Sequence, residues 1–143
     1  MPHLHPTGRY DIAHLPKVIE FTKQAMNRIS DPERWCQKKW GRMKNGTCPV
    51  GPSSPDQCCS YGSLIVTFDP RGEFGHPIPA GRMSDNDREL QMEMAEHYLS
   101  LSAAKFFGKG TYISANDLMD HTDVMAMWAR AIEMMEEDLK AAS

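Results

Sequence analysis

The chain has 143 residues, of which 41% are apolar and 24% charged, and its formal net charge is −3. This composition fits one globular domain with an apolar core and excludes a wholly disordered, collagen-like or membrane-embedded chain. The first 57 residues carry nine Lys and Arg against five Asp and Glu, and the remainder carries seven against fourteen. We interpret this asymmetry as unevenly charged solvated faces, although it also suits head-to-tail self-association.

Residues 1–10 are rich in Pro and His and lack periodicity, so we predict an extended arm in front of a single helical domain, residues 11–143. The N-terminus has no basic region followed by an apolar one, and the chain has no run of eighteen apolar residues. We therefore expect no secretory signal, no membrane contact and synthesis in a cytoplasm, with a virion as a later location for a phage protein.

The first helix is predicted to begin at Leu15, with Pro16 in its first turn and apolar residues at three- and four-residue steps up to Ile29. A short second helix follows, with Asp31 as the N-cap and Pro32 as the first helical residue. The residues that we expect this helix to carry are Trp35, Cys36 and Trp40.

Residues 41–53 contain three Gly and two Pro and are predicted to form a loop. Residues 54–57 (SPDQ) fit a capping box, which predicts a helix that starts at Pro55 and continues through the apolar residues 58–68. The β-branched end of this stretch also suits a strand, but we favour the helix. Residues 69–83, with three Gly and three Pro, are predicted to form a long connection.

A third main helix is predicted to begin at Ser84 and to end at Gly108 and Gly110. It carries two apolar stripes, which predict packing on two sides. The stripes consist of Leu90, Met94, His97, Tyr98 and Leu101, and of Met92, Ala95, Leu99 and Phe106.

Residues 114–117 are predicted to form a single turn, after which Thr122 caps a last helix. The buried face of this helix is predicted to consist of Val124, Trp128, Ala131, Ile132, Met135 and Leu139, and its acidic outer face of Glu133, Glu136, Glu137 and Asp138. The elements together predict an all-α, compact domain of four to five helices with a long Cys-, Gly- and Pro-rich loop region.

All four Cys residues lie between positions 36 and 59. Zinc sites use closely paired ligands, and the order Cys36, Cys48, Cys58, Cys59 does not provide such pairs, so we expect no metal and no cofactor. In an oxidising setting, Cys36 and Cys48 would each form a disulfide with one of Cys58 and Cys59 and thereby constrain the loop. Reduced, buried thiols are the alternative.

A cysteine-dependent hydrolase is a second interpretation. A Cys in the first turn of a helix can have a lowered pKa and can have N–H groups nearby for an oxyanion. The candidate nucleophile is Cys59, with His97 or His121 as the base. Asn116 or Asp117 would be the third member of the site. No diagnostic signature accompanies these residues, and we favour none as catalytic.

A nucleic-acid interface is a third interpretation. Basic residues alternate with two Trp residues over positions 34–44, which offers positive charge to phosphates and flat rings to bases. The chain as a whole is acidic, and Trp side chains more often pack in the core or hold loops in place, so we do not favour this interpretation. The candidate residues are Arg34, Trp35, Lys38, Lys39, Trp40, Arg42 and Lys44.

Two spaced patches carry a family resemblance. Residues 58–64 (CCSYGSL) are followed some fifty residues later by residues 113–117 (ISAND) and the final helix. The pattern resembles a family of small bacterial and phage helical proteins of unknown function, with a Trp-Cys-Ala-Leu-Gly-Ala patch and a later Asn-Asp element. Cys58 stands where that family has Trp, and residues 41–52 look like an addition.

The resemblance implies no activity, but it implies that Cys59, Gly62, Asn116 and Asp117 act together. They would form either a site or a buried lock in which Asn116 or Asp117 binds backbone groups, and we favour the lock. We therefore expect a non-enzymatic interaction or assembly protein from a phage or mobile element. Its partners are copies of itself or other protein subunits, and its cysteines stabilise the fold or link subunits.

Overall fold

The computed structural model describes residues 11–38, 41–42, 56–70 and 84–142. These ranges contain two short 3-10 helices, Ile12–His14 and Pro32–Arg34, and two short strands, β1 (Gly41–Arg42) and β2 (Gln57–Cys58). The predicted all-α fold is confirmed, whereas the arm, most of the Cys-bearing loop and residues 71–83 lie outside the described residues. The helices are α1 (Leu15–Arg28), α2 (Ser60–Phe68), α3 (Ser84–Phe107), α4 (Tyr112–Leu118) and α5 (His121–Ala142).

Capping residues and prolines determine where the first helices of the domain begin. Pro16 lies in the first turn of α1, as predicted. Asp31 Oδ1 accepts a hydrogen bond from Glu33 N at 2.9 Å and caps the second 3-10 helix. This helix ends at Arg34, because the extended backbone of Trp35 forms a parallel bridge to Cys58. The prediction that Trp35 and Cys36 lie on the helix is therefore wrong, and Trp40 lies outside the described residues.

The helix predicted from Pro55 is contradicted at Gln57 and Cys58, and Pro55 itself lies outside the described residues. Gln57 and Cys58 form β2, which pairs antiparallel with β1, so the backbone is extended where the capping box predicted helix. The helix α2 begins at Ser60, and Cys59 is its N-cap, with Sγ accepting from Gly62 N at 3.3 Å. Strand pairing with distant segments decides where this helix begins. From Ser60 to Phe68 the predicted helix is observed, and not the alternative strand.

Glycine and polar caps set the boundaries of the last three helices. Gly108 has φ +66° just after α3, and Lys109 N donates to Ala103 O at 3.0 Å, an arrangement that closes the helix end. The predicted single turn is the longer helix α4, which is capped by Thr111. The cap of α5 is Asp120, whose Oδ1 accepts from Asp123 N at 2.9 Å, and not Thr122.

The long helix α3 packs against each of the other four, most extensively against α5. Its predicted two-sided packing is observed, although Phe106 is 42% exposed and does not belong to the buried face. The helices α1 and α5 run antiparallel, since His121 at the start of α5 contacts Ile29 O, which follows α1. None of the helices in the described ranges combines the length and the hydropathy that a membrane span requires.

The prediction that Asp138 belongs to the acidic outer face of α5 is wrong. Its side chain is 3% exposed, whereas Glu133, Glu136 and Glu137 are exposed as expected. Tyr98 OH on α3 donates to Asp138 Oδ2 at 2.6 Å. Burial and this carboxylate both raise the pKa of Tyr98 far above its ordinary value, so the hydroxyl keeps its proton. The hydrogen bond compensates for burying a carboxylate between α3 and α5.

We expect Tyr98→Phe to lower the free energy of unfolding by about 1–3 kcal/mol, because it removes a donor from the buried carboxylate of Asp138. Urea denaturation followed by circular dichroism measures this loss. The matched control is Tyr61→Phe, since Tyr61 is 37% exposed and should change stability by less than about 0.5 kcal/mol. An equal effect of the two substitutions would contradict a stabilising role for the Tyr98–Asp138 hydrogen bond.

Candidate functional site

The side chain of Asn116 is the centre of the candidate site. It lies on α4 and is 1% exposed. Its Oδ1 accepts from Trp35 Nε1 at 2.8 Å, and from Ser60 N and Ser60 Oγ, both at 2.9 Å. Its Nδ2 donates to Cys36 O at 3.1 Å. Both ends of the carboxamide are therefore used to connect three distant segments of the chain.

The carboxamide continues a backbone ladder. Trp35 and Cys58 form a parallel bridge, and Cys36 N donates to Cys58 O at 3.0 Å. In a parallel ladder the next hydrogen bond would run from Ser60 N to Cys36 O. Instead, Asn116 accepts from Ser60 N and donates to Cys36 O. The side chain thus replaces one peptide pairing and allows Ser60 to begin a helix.

Two Trp residues donate hydrogen bonds to this network. Trp128 on α5 is fully buried, and its Nε1 donates to Ser60 Oγ at 2.9 Å. The Ser60 hydroxyl in turn donates to Asn116 Oδ1, which also accepts from Trp35 Nε1. Each indole N–H is therefore satisfied in the interior.

The segment after Cys36 is attached to the C-terminal end of α4. Gln37 Nε2 donates to Asn116 O at 3.1 Å and to Met119 O at 2.8 Å. Lys38 N donates to Asp117 Oδ1 at 2.6 Å, and Lys38 has φ +65°, a left-handed conformation that is unfavourable for a residue other than Gly. Asn116 and Asp117 thus bind backbone groups, which is the arrangement of a lock.

Three cysteines surround this lock as buried thiols. Cys36, Cys58 and Cys59 form no disulfide with one another in the structure, and Cys48 lies outside the described residues. In the described part of the chain, no group of three or more His, Cys, Asp and Glu side chains could hold a metal ion. The expected disulfides are thus not observed at the three described positions.

The Cys59 thiol has the environment of a helix cap. It is 8% exposed, and burial raises its pKa above the ordinary value. The N–H group of Gly62 lowers the pKa and the carboxylate of Asp117 raises it, but burial is the largest effect. Burial also raises the pKa of Cys58 to about 12. Both side chains are thiols at neutral pH, which is unfavourable for a nucleophile.

The two candidate bases are engaged elsewhere. His121 Nε2 lies 2.7 Å from Ile29 O, and its ring is 5.3 Å from the ring of Trp35. The ring of His97 lies edge-on to Tyr98 at 5.6 Å. The structure brings Cys59 close to Asn116 and Asp117, but within the described ranges neither His forms a hydrogen bond with Cys59 Sγ.

The basic segment is only partly described. Trp35 is half-buried, donates to Asn116 and contacts His121, so its ring is not available as a stacking platform for a base. Arg34 and Lys38 are exposed. The remaining candidates, Lys39, Trp40, Lys44 and the side chain of Arg42, lie outside what the structure describes.

The sequence patterns do not indicate Ser60, Gln37 or the polar role of Trp128. A buried indole N–H needs an acceptor, and this requirement is the signal that could have suggested a polar partner for Trp128. The identity of that partner depends on contacts between residues 68 positions apart, which local patterns do not contain.

We expect Asn116→Ala to lower the free energy of unfolding by about 3–5 kcal/mol, because Ser60 N, Trp35 Nε1 and Cys36 O would all lose their buried partner. Chemical denaturation measures the loss, and Trp fluorescence reports the change around the indoles. The control is Asn27→Ala on α1, where the side chain is exposed and a change within about 0.5 kcal/mol is expected. A similarly small effect at Asn116 would contradict the lock.

We expect iodoacetamide to alkylate Cys58 and Cys59 in the native protein at pH 8 at least about tenfold more slowly than in the urea-denatured chain, because both thiols are buried and their pKa values are raised. Alkylation should accelerate as the pH rises, since thiolate is the reactive form. Mass spectrometry of digested samples resolves each residue. Rapid labelling of Cys59 at pH 7 would contradict the raised pKa and would favour the hydrolase.

A scan against protein-family models, a search of curated proteins and a search of solved structures each found no match for this chain. The resemblance carried by residues 58–64 and 113–117 therefore stays a prediction.

Proposed function

We propose that the protein is a non-enzymatic assembly protein that forms a homo-oligomer through the groove between α1 and α5. The observation that carries this proposal is the open groove lined by Pro16 and Ile19 of α1 and by Glu136, Leu139 and Lys140 of α5. Its floor is aliphatic, and its rim carries one acid and one base. Such a lining suits an apolar peptide segment better than a small charged substrate.

The groove follows from the antiparallel packing of its two helices. The start of α5 contacts Ile29 O beyond the end of α1, so the start of α1 lies beside the end of α5. Lys23 Nζ and Glu136 Oε2 approach to 4.0 Å across the two helices. Leu139 is only half-buried and keeps part of its apolar surface available for a partner.

The occupant that we propose is residues 1–10 of a second copy. This segment joins the domain at Asp11, directly before the 3-10 helix Ile12–His14, which packs against both α1 and α5. It contains Leu4 and Tyr10 as apolar anchors. It also contains Pro2 and Pro6, whose restricted backbones reduce the entropy lost on binding. A chain of ten residues can span at most about 35 Å, enough to reach a neighbouring domain.

The other two interpretations have less support. The polar groups of Asn116 and Asp117 are used to hold backbone groups, and the Cys59 thiol is buried with a raised pKa, which disfavours catalysis. Trp35 is committed to internal contacts, which disfavours nucleic-acid stacking. Origin from a phage or mobile element is what the family resemblance suggests, and it stays part of the proposal.

Sedimentation velocity over a range of protein concentrations tests the assembly. We expect the full chain to associate, and a variant lacking residues 1–10 to be monomeric. Leu139→Glu should weaken association at least about tenfold, because it places a charge on the apolar floor. The matched control is Leu118→Glu, since Leu118 is 70% exposed on α4, away from the groove, and this change should leave association unaltered.

Thermal denaturation of each variant establishes that it is folded, and the deletion provides a test that does not alter the groove itself. A full chain that is monomeric at every concentration would overturn the proposal, even if residues 1–10 occupy the groove of their own domain. Association that persists unchanged in both the deletion and Leu139→Glu would overturn the groove as the interface.

A further inference from the structure

The register of the parallel bridge places Cys36 and Cys59 at neighbouring positions. Trp35 pairs with Cys58, and the bond from Cys36 N to Cys58 O fixes this register. In a parallel pair, residues in register project to the same side, and successive residues alternate between sides. Trp35 and Cys58 therefore share one side of the bridge, and Cys36 and Cys59 share the other.

Burial agrees with this assignment of sides. Cys58 belongs to the main apolar core, and Trp35 packs against that core. Cys36 and Cys59 are 5% and 8% exposed, but neither belongs to the same core cluster. The two thiols therefore lie on the side of the bridge that faces away from this core cluster.

The spacing suits a covalent link. Neighbouring strands lie about 4.8 Å apart, and a disulfide needs Cα atoms separated by about 4.4–6.8 Å. Cys36 and Cys59 are the last pair before the carboxamide of Asn116 separates the two segments. Cys58 lies on the opposite side of the bridge from Cys36, so the register favours Cys59 over Cys58 as the partner of Cys36, although Cys36 and Cys58 interact electrostatically.

We propose that Cys36 and Cys59 are a modification site at which a low-molecular-weight disulfide, such as oxidised glutathione, produces an intrachain disulfide. The Cys59 thiol is buried and protonated at neutral pH, so the exchange is slow and proceeds through the small fraction of thiolate. One protein thiol loses its proton, and the resulting thiolate attacks a sulfur of oxidised glutathione, which forms a mixed disulfide and releases one glutathione thiolate. The second protein thiolate then attacks the protein sulfur of that mixed disulfide and releases the other glutathione. The two cysteines lose two protons and two electrons, and oxidised glutathione is reduced to two molecules of glutathione.

The link would fasten the start of α2 to the segment that follows the second 3-10 helix. It would close a loop that contains residues 37–58, and so reduce the conformational entropy of the unfolded chain. The groove between α1 and α5 lies next to Pro16 and Leu139. This is the opposite end of α1 and α5 from Ile29 and His121, and His121 contacts Trp35 beside the proposed link. The link is therefore independent of the proposed assembly, and oxidation should leave the sedimentation behaviour unchanged.

Intact-mass measurement after incubation with oxidised glutathione tests this site in the full chain carrying Cys48→Ser, which removes the cysteine outside the described residues. We expect the mass to fall by two hydrogen atoms, and a non-reduced digest to contain a peptide pair joined through Cys36 and Cys59. The melting temperature should rise by at least about 5 °C and return on reduction.

Variants of the individual cysteines provide the controls. Cys58→Ala in the same background should still form the link, whereas Cys36→Ser and Cys59→Ser should not. The Ser substitution at position 59 keeps a good N-cap for α2, so this variant should fold. A link through Cys58, a link between chains, or failure of the folded protein to form any link would each overturn the proposal.

Discussion

The buried carboxamide of Asn116 must find partners for both its oxygen and its nitrogen, and this requirement organises the segments around it. Its oxygen binds Trp35 and Ser60, and its nitrogen binds the carbonyl of Cys36. An unpaired buried polar group costs about 1–3 kcal/mol, so the segments are stable in this arrangement only when all are in place. The start of α2, the end of the second 3-10 helix and the position of α4 therefore depend on one side chain.

Much of the helical framework can be predicted from local signals. Pro16 and Asp31 mark helix starts through their own backbone and side-chain chemistry, and Gly108 ends α3 because it tolerates a positive φ. The errors arise where distant contacts override such signals. The capping box before Cys58 predicts a helix, but Cys58 instead pairs as a strand with Trp35 and Gly41. Asp138 is buried on the inner side of α5 because Tyr98 supplies a hydrogen-bond donor.

The sequence predicts some of the residues that meet at the candidate site, but it does not predict their chemical role. The sequence patches include Cys59, Asn116 and Asp117, and the structure brings these residues together. Their chemical role could not be read from spacing, because a Cys near a helix start suits both a nucleophile and a cap. Burial decides between the two: it raises the pKa of the thiol, and the Gly62 N–H then binds Sγ as it would bind the oxygen of an ordinary capping side chain.

The hydrogen bonds of Asn116 also have a kinetic consequence. They join Asn116 to Trp35, which is 81 positions away in the chain, and to Ser60, which is 56 positions away. Closing loops of this length costs entropy before any contact compensates for it, so contacts of such separation slow the folding of a small domain. During synthesis, the first two helices leave the ribosome well before Asn116 does. Until α4 has been made, Trp35 and Ser60 lack the partner that holds them together, and the folding of this region awaits the last third of the chain.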